Sequence, residues 1–218
     1  MQAAVEQYRH ASRGYDRHMR RFARWQTLAV ERLQLQPGET VVDVACGTGL
    51  NFPLLEAQVG DGGRIIGVDL SPEMIAQARE RIADHGWRNV TVIEAPVEEA
   101  PLDAAADAAL FSFTHDVLQS PQAVANVVSN LRPGARVASV GAKLAPRWNV
   151  VVNAAVRRSA RPYMTTFRGL DRPWRELERY AGELEHRSLA LGGAHLAWGT
   201  VTAEGVRSAS ERAGRPPV

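Results

Sequence analysis

The strongest constraint in this chain is the run Val41-Val42-Asp43-Val44-Ala45-Cys46-Gly47-Thr48-Gly49-Leu50. A short, β-branched apolar segment that stops at a turn signal reads as a strand buried on both faces, the pattern of a central parallel strand. The stop is Gly47-Thr48-Gly49, where the missing Cβ atoms let the backbone turn tightly and approach a ligand. Asn51-Phe52-Pro53-Leu54-Leu55-Glu56 then opens a helix, with Asn51 as its expected N-cap and a proline in the first turn. Strand, glycine loop and helix together have the shape of a nucleotide-binding turn.

The unit recurs along the chain. Ile65-Ile66-Gly67-Val68-Asp69 is a second strand, followed by a helix that Ser71 caps with Pro72 at its first position. Asn89 to Glu94 and Asp107 to Phe113 are the third and fourth strands. A helix is expected from Ser120-Pro121 through Leu131, a turn at Arg132-Pro133-Gly134-Ala135, and a fifth strand from Arg136 to Gly141. Leu184 to Leu191 and His195 to Val201, joined around Gly192-Gly193, read as a hairpin. Asp69 lies at the carboxyl end of the strand next to the glycine loop, where an acid accepts both hydroxyls of an adenosine ribose. That position suits any adenosine cofactor. A dinucleotide fingerprint needs a third glycine, and counting from Gly47 that place is Phe52.

Composition narrows the class. The chain has 218 residues, 45% hydrophobic and 23% charged, enough for one sizeable α/β core. A net charge of +2 makes no case for nucleic acid, although arginines gather at Arg9 to Arg24 and at Arg157 to Arg179, as solvated helix faces do. The single cysteine, Cys46, excludes an internal disulfide and suits a reducing compartment. The first residues have no apolar core for a signal peptide and no stretch is long enough to span a membrane, so a cytoplasmic protein is expected.

Asp43-Val44-Ala45-Cys46-Gly47-Thr48-Gly49 and Val68-Asp69-Leu70-Ser71-Pro72-Glu73-Met74 resemble the cofactor-binding segments of class I S-adenosylmethionine-dependent methyltransferases. The look is closest to the small-molecule enzymes of the ubiquinone/menaquinone and lipid-headgroup types. The resemblance covers roughly residues 38 to 142 and extends more loosely over the hairpin. It implies an α/β, Rossmann-like, seven-stranded, mostly parallel sheet with a C-terminal antiparallel hairpin and helices on both faces. It also implies S-adenosylmethionine as cofactor and a small-molecule acceptor, with no nucleic-acid partner and no stable membrane insertion; a homodimer is compatible with it. One domain is expected over residues 1–202, with 1–34 as a helical lid and 146–182 covering the substrate, then a frayed tail over 203–218.

The cofactor residues carried over are Asp43, Ala45, Gly47, Gly49, Asp69, Leu70, Met74, Pro96, Val97 and Phe113, with Tyr15 from the lid and Tyr8 as its rival. Two positions depart from the family. Ala45 stands where the first glycine is usual, and Pro96 stands where an aspartate usually accepts from the adenine amino group. Adenine is then left to backbone near Val97 and to the apolar walls Leu70 and Val97, with Glu98 as a substitute acceptor or a solvated side chain.

Methyl transfer from a sulfonium is an in-line displacement, for which the protein chiefly aligns the two reactants. Residues 114 to 116 should face the methyl, and His115 is the candidate base, with Asp116 orienting it or acting as the base itself. His195 reads as structural, His18 reaches the site only if its helix is a lid, and Cys46 packs behind the glycines. No metal constellation is visible. Two other classes remain open at this stage: an NAD-dependent oxidoreductase, disfavoured by Phe52 and the hairpin, and a cofactor-binding protein without catalysis, to which Ala45 and Pro96 lend weight.

Overall fold

The computed structural model describes residues 16–102, 105–164 and 166–214. Residues 16–19 are helical and run through a 3-10 turn at Arg20–Phe22 into α1 (Ala23–Leu33). The alternating part follows: β1 (Thr40–Val44), α2 (Phe52–Val59), β2 (Arg64–Asp69), α3 (Pro72–His85), β3 (Val90–Glu94), β4 (Ala106–Ser112), the single turn α4 (His115–Leu118), α5 (Pro121–Val128) and β5 (Leu131–Ala142). Then come α6 (Val150–Ala160), α7 (Arg175–Ala181), β6 (Glu185–Leu189), β7 (Ala194–Thr200) and α8 (Ala203–Ala213).

The seven strands lie in the order β3-β2-β1-β4-β5-β7-β6. β1 to β5 pair in parallel, and β7 runs antiparallel to both β5 and β6. This is the mostly parallel sheet with a closing hairpin that the sequence implies. Alternation along the strands builds two cores. Val42, Ile66, Ala109 and Phe111 point to one side, under Val124 and Val127 of α5, Leu177 of α7 and Val206 of α8. Val41, Ile65, Ala108 and Leu110 point to the other, under Ala29 and Leu33 of α1, Leu55 of α2 and Ile75 of α3. Strands covered on both faces must be apolar throughout, which is why they read as continuous runs rather than alternating ones. The order reverses at β1, whose neighbours are β2 and β4, so the crevice at its carboxyl end is where a ligand belongs in such a sheet. No helix among the described residues is long and apolar enough to cross a membrane.

Three local expectations are corrected. Helix α5 stops at Val128, and Arg132–Ala135 is not a turn before the fifth strand but an irregularity inside it. The register jumps from Ala106 opposite Leu131 to Ala108 opposite Arg136. Gly134 absorbs the jump at φ +87° and donates its N–H to Val201 at 2.9 Å. Asn51 stands at the N-cap position but makes no side-chain cap; its side chain turns to Asp43 instead. Nor does the chain fray after residue 202. Thr202 caps α8 by accepting from Gly205 N at 2.9 Å, and the helix buries Val206, Ala209 and Ser210. Residues 215–218 lie outside the described residues.

Candidate active site

Asp43 is fully buried at the end of β1, opposite Gly67 of β2 and Leu110 of β4. Both of its oxygens accept from Asn51 Nδ2, at 3.1 and 3.2 Å, and Asn51 Oδ1 accepts from Gln26 Nε2 of α1 at 3.1 Å. Burial pushes the Asp43 carboxyl up to about 7; the Asn51 hydrogen bond opposes the rise and the charge of Asp69 adds to it.

The chain then enters the loop through Ala45 at φ +50°, with Gly47 at +57° and Gly49 at +75°. Alanine therefore holds the left-handed conformation that the family pattern gives to glycine. Phe52 explains Gly49. A Cβ at Gly49 would lie 2.5 Å from its ring, and one at Gly67 would lie 2.8 Å from both the ring and Cys46 Sγ. The aromatic residue that breaks the dinucleotide fingerprint is thus the packing core of this loop. Cys46 is buried behind it, and burial holds its thiol well above the usual value, so it stays protonated.

Asp69 closes the loop from β2. Its Oδ2 accepts from Gly47 N at 2.9 Å and its Oδ1 from Ser71 N at 2.8 Å. Burial raises its pKa while these N–H groups hold it down. A carboxylate accepts about four hydrogen bonds, so capacity remains for two ribose hydroxyls. Leu70 is half-buried beside it, and Met74 is buried in the first turn of α3, which Ser71 Oγ caps. Across the crevice, Val97 is buried and its carbonyl accepts from Asn126 Nδ2 at 2.7 Å. Glu98 accepts from Ser120 Oγ at 2.7 Å, which ties it to the start of α5.

The end of β4 is unusually polar for a buried place. Ser112 Oγ, Thr114 Oγ1 and His115 Nδ1 are all buried and have no hydrogen-bond partner among the described residues. Each such atom costs about 1–3 kcal/mol. Three of them at the carboxyl end of the strand that flanks the switch point fit a site built for a polar cofactor. Together with the loop and Asp69, they accommodate S-adenosylmethionine. His115 is 5% exposed and its Nε2 lies 2.9 Å from the carbonyl oxygen of Arg168, which makes Nε2–H the donor and leaves Nδ1 bare. Burial lowers its pKa, with the Arg168 carbonyl and Asp116 opposing.

Against the N-terminal segment lies an open cleft. His18 and Phe22 line it from the N-terminal segment, Phe113 and Ala142 from the ends of β4 and β5, and Ser159 and Tyr163 from α6 and the turn after it. His115 does not line it. Phe113 takes φ +59°, a strained conformation for a bulky residue of the kind that clusters at functional sites. Its ring lies 5.0 Å from that of Phe22.

Two groups were not legible beforehand. Asp16 accepts from Thr48 Oγ1 and from Arg81 Nη2, both at 2.7 Å, and Arg81 Nε donates to the Thr48 carbonyl at 2.8 Å. The N-terminal segment is thereby fastened to the glycine loop. The second is His18 as a cleft residue. Tyr15 and Tyr8 lie outside the described residues.

Residues 41–134 match a family described as a methyltransferase domain. Arsenite methyltransferase of Halobacterium salinarum is 35% identical over 106 residues, 48% of this chain but 27% of that protein, so the chain spans about a quarter of that relative's length. Demethylmenaquinone methyltransferase of Symbiobacterium thermophilum is 28% identical over 210 residues, 84% of each chain. A S-adenosylmethionine-dependent methyltransferase from Aquifex aeolicus shares the fold with a TM-score of 0.57 at 19% identity, over 81% of this chain and 89% of the other. Residues 41–134 are thus a methyltransferase domain, and the strand order, the glycine loop and Asp69 give it the fold of the class I S-adenosylmethionine-dependent methyltransferases.

Proposed function

We propose that this methyltransferase moves the methyl of S-adenosylmethionine onto a small, mostly apolar acceptor seated in the cleft between the N-terminal segment and residues 146–182. The observation that carries this is the cleft's place. It opens at the carboxyl ends of β4 and β5, β4 being the neighbour of the strand that carries the glycine loop, and Phe22, Phe113 and Tyr163 are among its walls. The two relatives named above are called methyltransferases for arsenite and for demethylmenaquinone, both small molecules.

When bound, S-adenosylmethionine supplies a methyl already activated on sulfur. The residues of this chain then orient and exclude water. Asp69 would hold the ribose, the backbone from Ala45 to Gly49 would take the methionine part, and Leu70 and Val97 would wall an adenine whose amino group meets no carboxylate at Pro96. His115, tied to Arg168, sets residues 166–168 over the end of β4 and acts as a positioning residue.

Calorimetry with S-adenosylmethionine, S-adenosylhomocysteine and NAD tests the cofactor; binding of NAD alone sinks the reading. Release of S-adenosylhomocysteine with a panel of phenols, quinols, amines and aminolipids tests the transfer. Binding without any turnover would favour a non-catalytic cofactor-binding protein. Asp69→Ala is expected to weaken the cofactor by about 1–3 kcal/mol.

A further inference from the structure

The cleft says more about its occupant than that it is small. Its walls are rich in rings packed against one another, most of them tilted, with Trp25 behind them. Phe22 lies 5.0 Å from Phe113 and 5.1 Å from Trp25, and the Trp25 and Phe113 rings are within 10° of parallel at 6.4 Å. His18 continues the series, 5.6 Å from Phe22 and 4.9 Å from Tyr163. Such a lining favours a flat aromatic guest, which can meet these rings edge-to-face or offset.

The polar groups are few. Among the described residues that line the cleft there is no carboxylate, lysine or arginine. An ammonium acceptor would find no counter-charge there, and an acidic acceptor no cation. What the lining offers is the imidazole of His18; the Ser159 hydroxyl beside it already donates to the Val156 carbonyl at 3.2 Å. The His18 ring makes no hydrogen bond to any described residue; its neighbours are rings. The charged and titratable groups set against it are Arg21 from its own segment and Tyr163 from the facing turn. Burial, with Arg21 adding to it, lowers the pKa of His18, so the ring is neutral at pH 7 and has one nitrogen lone pair to offer.

We propose, building on the function above, that the cleft takes a flat aromatic acceptor bearing a hydroxyl, a phenol or hydroquinone, and that His18 is the base that removes the hydroxyl proton. The acceptor oxygen forms its bond to the methyl carbon as the carbon–sulfur bond breaks. The electron pair of that bond goes to sulfur, leaving neutral S-adenosylhomocysteine, and the hydroxyl proton goes to the bare nitrogen of His18 and from there to water. The base is thus on the N-terminal segment and not at His115, which does not line the cleft.

The test compares the full chain with His18→Gln, using naphthol, dinitrophenol and a primary amine as acceptors. Naphthol reaches the site protonated, whereas dinitrophenol is already ionised at neutral pH. With naphthol the substitution is expected to lower kcat about a hundredfold or more, the scale of a lost general base. With dinitrophenol it changes kcat by only a few-fold, and the acidic limb of the naphthol pH–rate profile is lost. Mass spectrometry identifies a methyl ether as the product. Equal losses on both phenols overturn the role of His18, because a merely structural side chain does not distinguish an ionised acceptor. Methylation of the amine with no turnover of either phenol overturns the acceptor class while leaving the proposed function standing. Failure to bind S-adenosylmethionine in calorimetry removes both. Unchanged S-adenosylhomocysteine affinity and far-ultraviolet dichroism in His18→Gln establish that the variant is folded.

Discussion

Asn51 lays its side-chain amide across both oxygens of the buried Asp43, at 3.1 and 3.2 Å. The carboxyl nevertheless keeps a pKa near 7, because burial outweighs one neutral donor. Near neutral pH it is therefore partly protonated without cofactor. A cationic ligand on the loop above favours the carboxylate, so S-adenosylmethionine should bind with release of a fraction of a proton. Its affinity should rise with pH through about 7, by at most about tenfold per pH unit. S-adenosylhomocysteine lacks the sulfonium charge and should depend less on pH. Calorimetry in two buffers of different ionisation heat measures the proton, and Asp43→Asn should abolish the difference between the two ligands.

His195 gives the opposite dependence on acid. It is buried in β7 with its Nε2 2.9 Å from Ser139 Oγ, and its pKa is pushed down to about 3, burial first, then Lys143 and His115. An unfolded chain takes up this proton near 6.5, the folded one only near 3. The contribution is whole above about 6.5 and is lost as pH falls, by about 1.4 kcal/mol per pH unit. Asp43, whose folded value is raised, stabilises increasingly as pH falls from about 7 toward 3.8 and offsets part of the loss. His195→Gln should therefore be less stable than the parent at pH 7, and its deficit should shrink or reverse toward about pH 4.5. Urea unfolding across that range gives the slopes; parallel slopes would contradict the assignment.

Ala45 holds φ +50° in the cofactor loop. A left-handed alanine costs about 1–2 kcal/mol, of which glycine's greater freedom in the unfolded chain gives part back. Ala45→Gly should raise stability by up to about 1 kcal/mol, seen as a Tm increase of about 2–4 °C.

Helix α8 is part of the core. Val206 is 2% exposed and belongs with Val124, Leu177 and Tyr180 to the cluster under one face of the sheet. Val206→Ala should cost about 2 kcal/mol, a fall in Tm of about 4–8 °C, and a chain ending at residue 202 should be recovered unfolded or aggregated.

The strands were legible because burial on both faces leaves little choice but apolar β-branched residues, and the glycine loop because Gly47 and Gly49 occupy positive φ. Asp69 was legible from its place after a strand. What escaped depended on partners distant in sequence. Asn51 looks like a cap until Asp43, eight residues earlier, is seen to be buried and in need of a donor. The tail looked frayed because Gly205 and its polar neighbours weaken the helical signal. Yet Gly205 is there because α8 crosses directly over the Tyr180 carbonyl, where a Cβ would clash. Thr202 and Gly214 were its cap signals at either end, outvoted by composition. His18 could be placed from sequence only conditionally, since its role depends on where the N-terminal segment folds down.

Asp16 fastens the N-terminal segment at two points. It grips the glycine loop through Thr48 and helix α3 through Arg81, and two residues later His18 walls the cleft. The loop at the end of β1 and one wall of the cleft therefore hang on the same carboxylate, so a change at Asp16 reaches both.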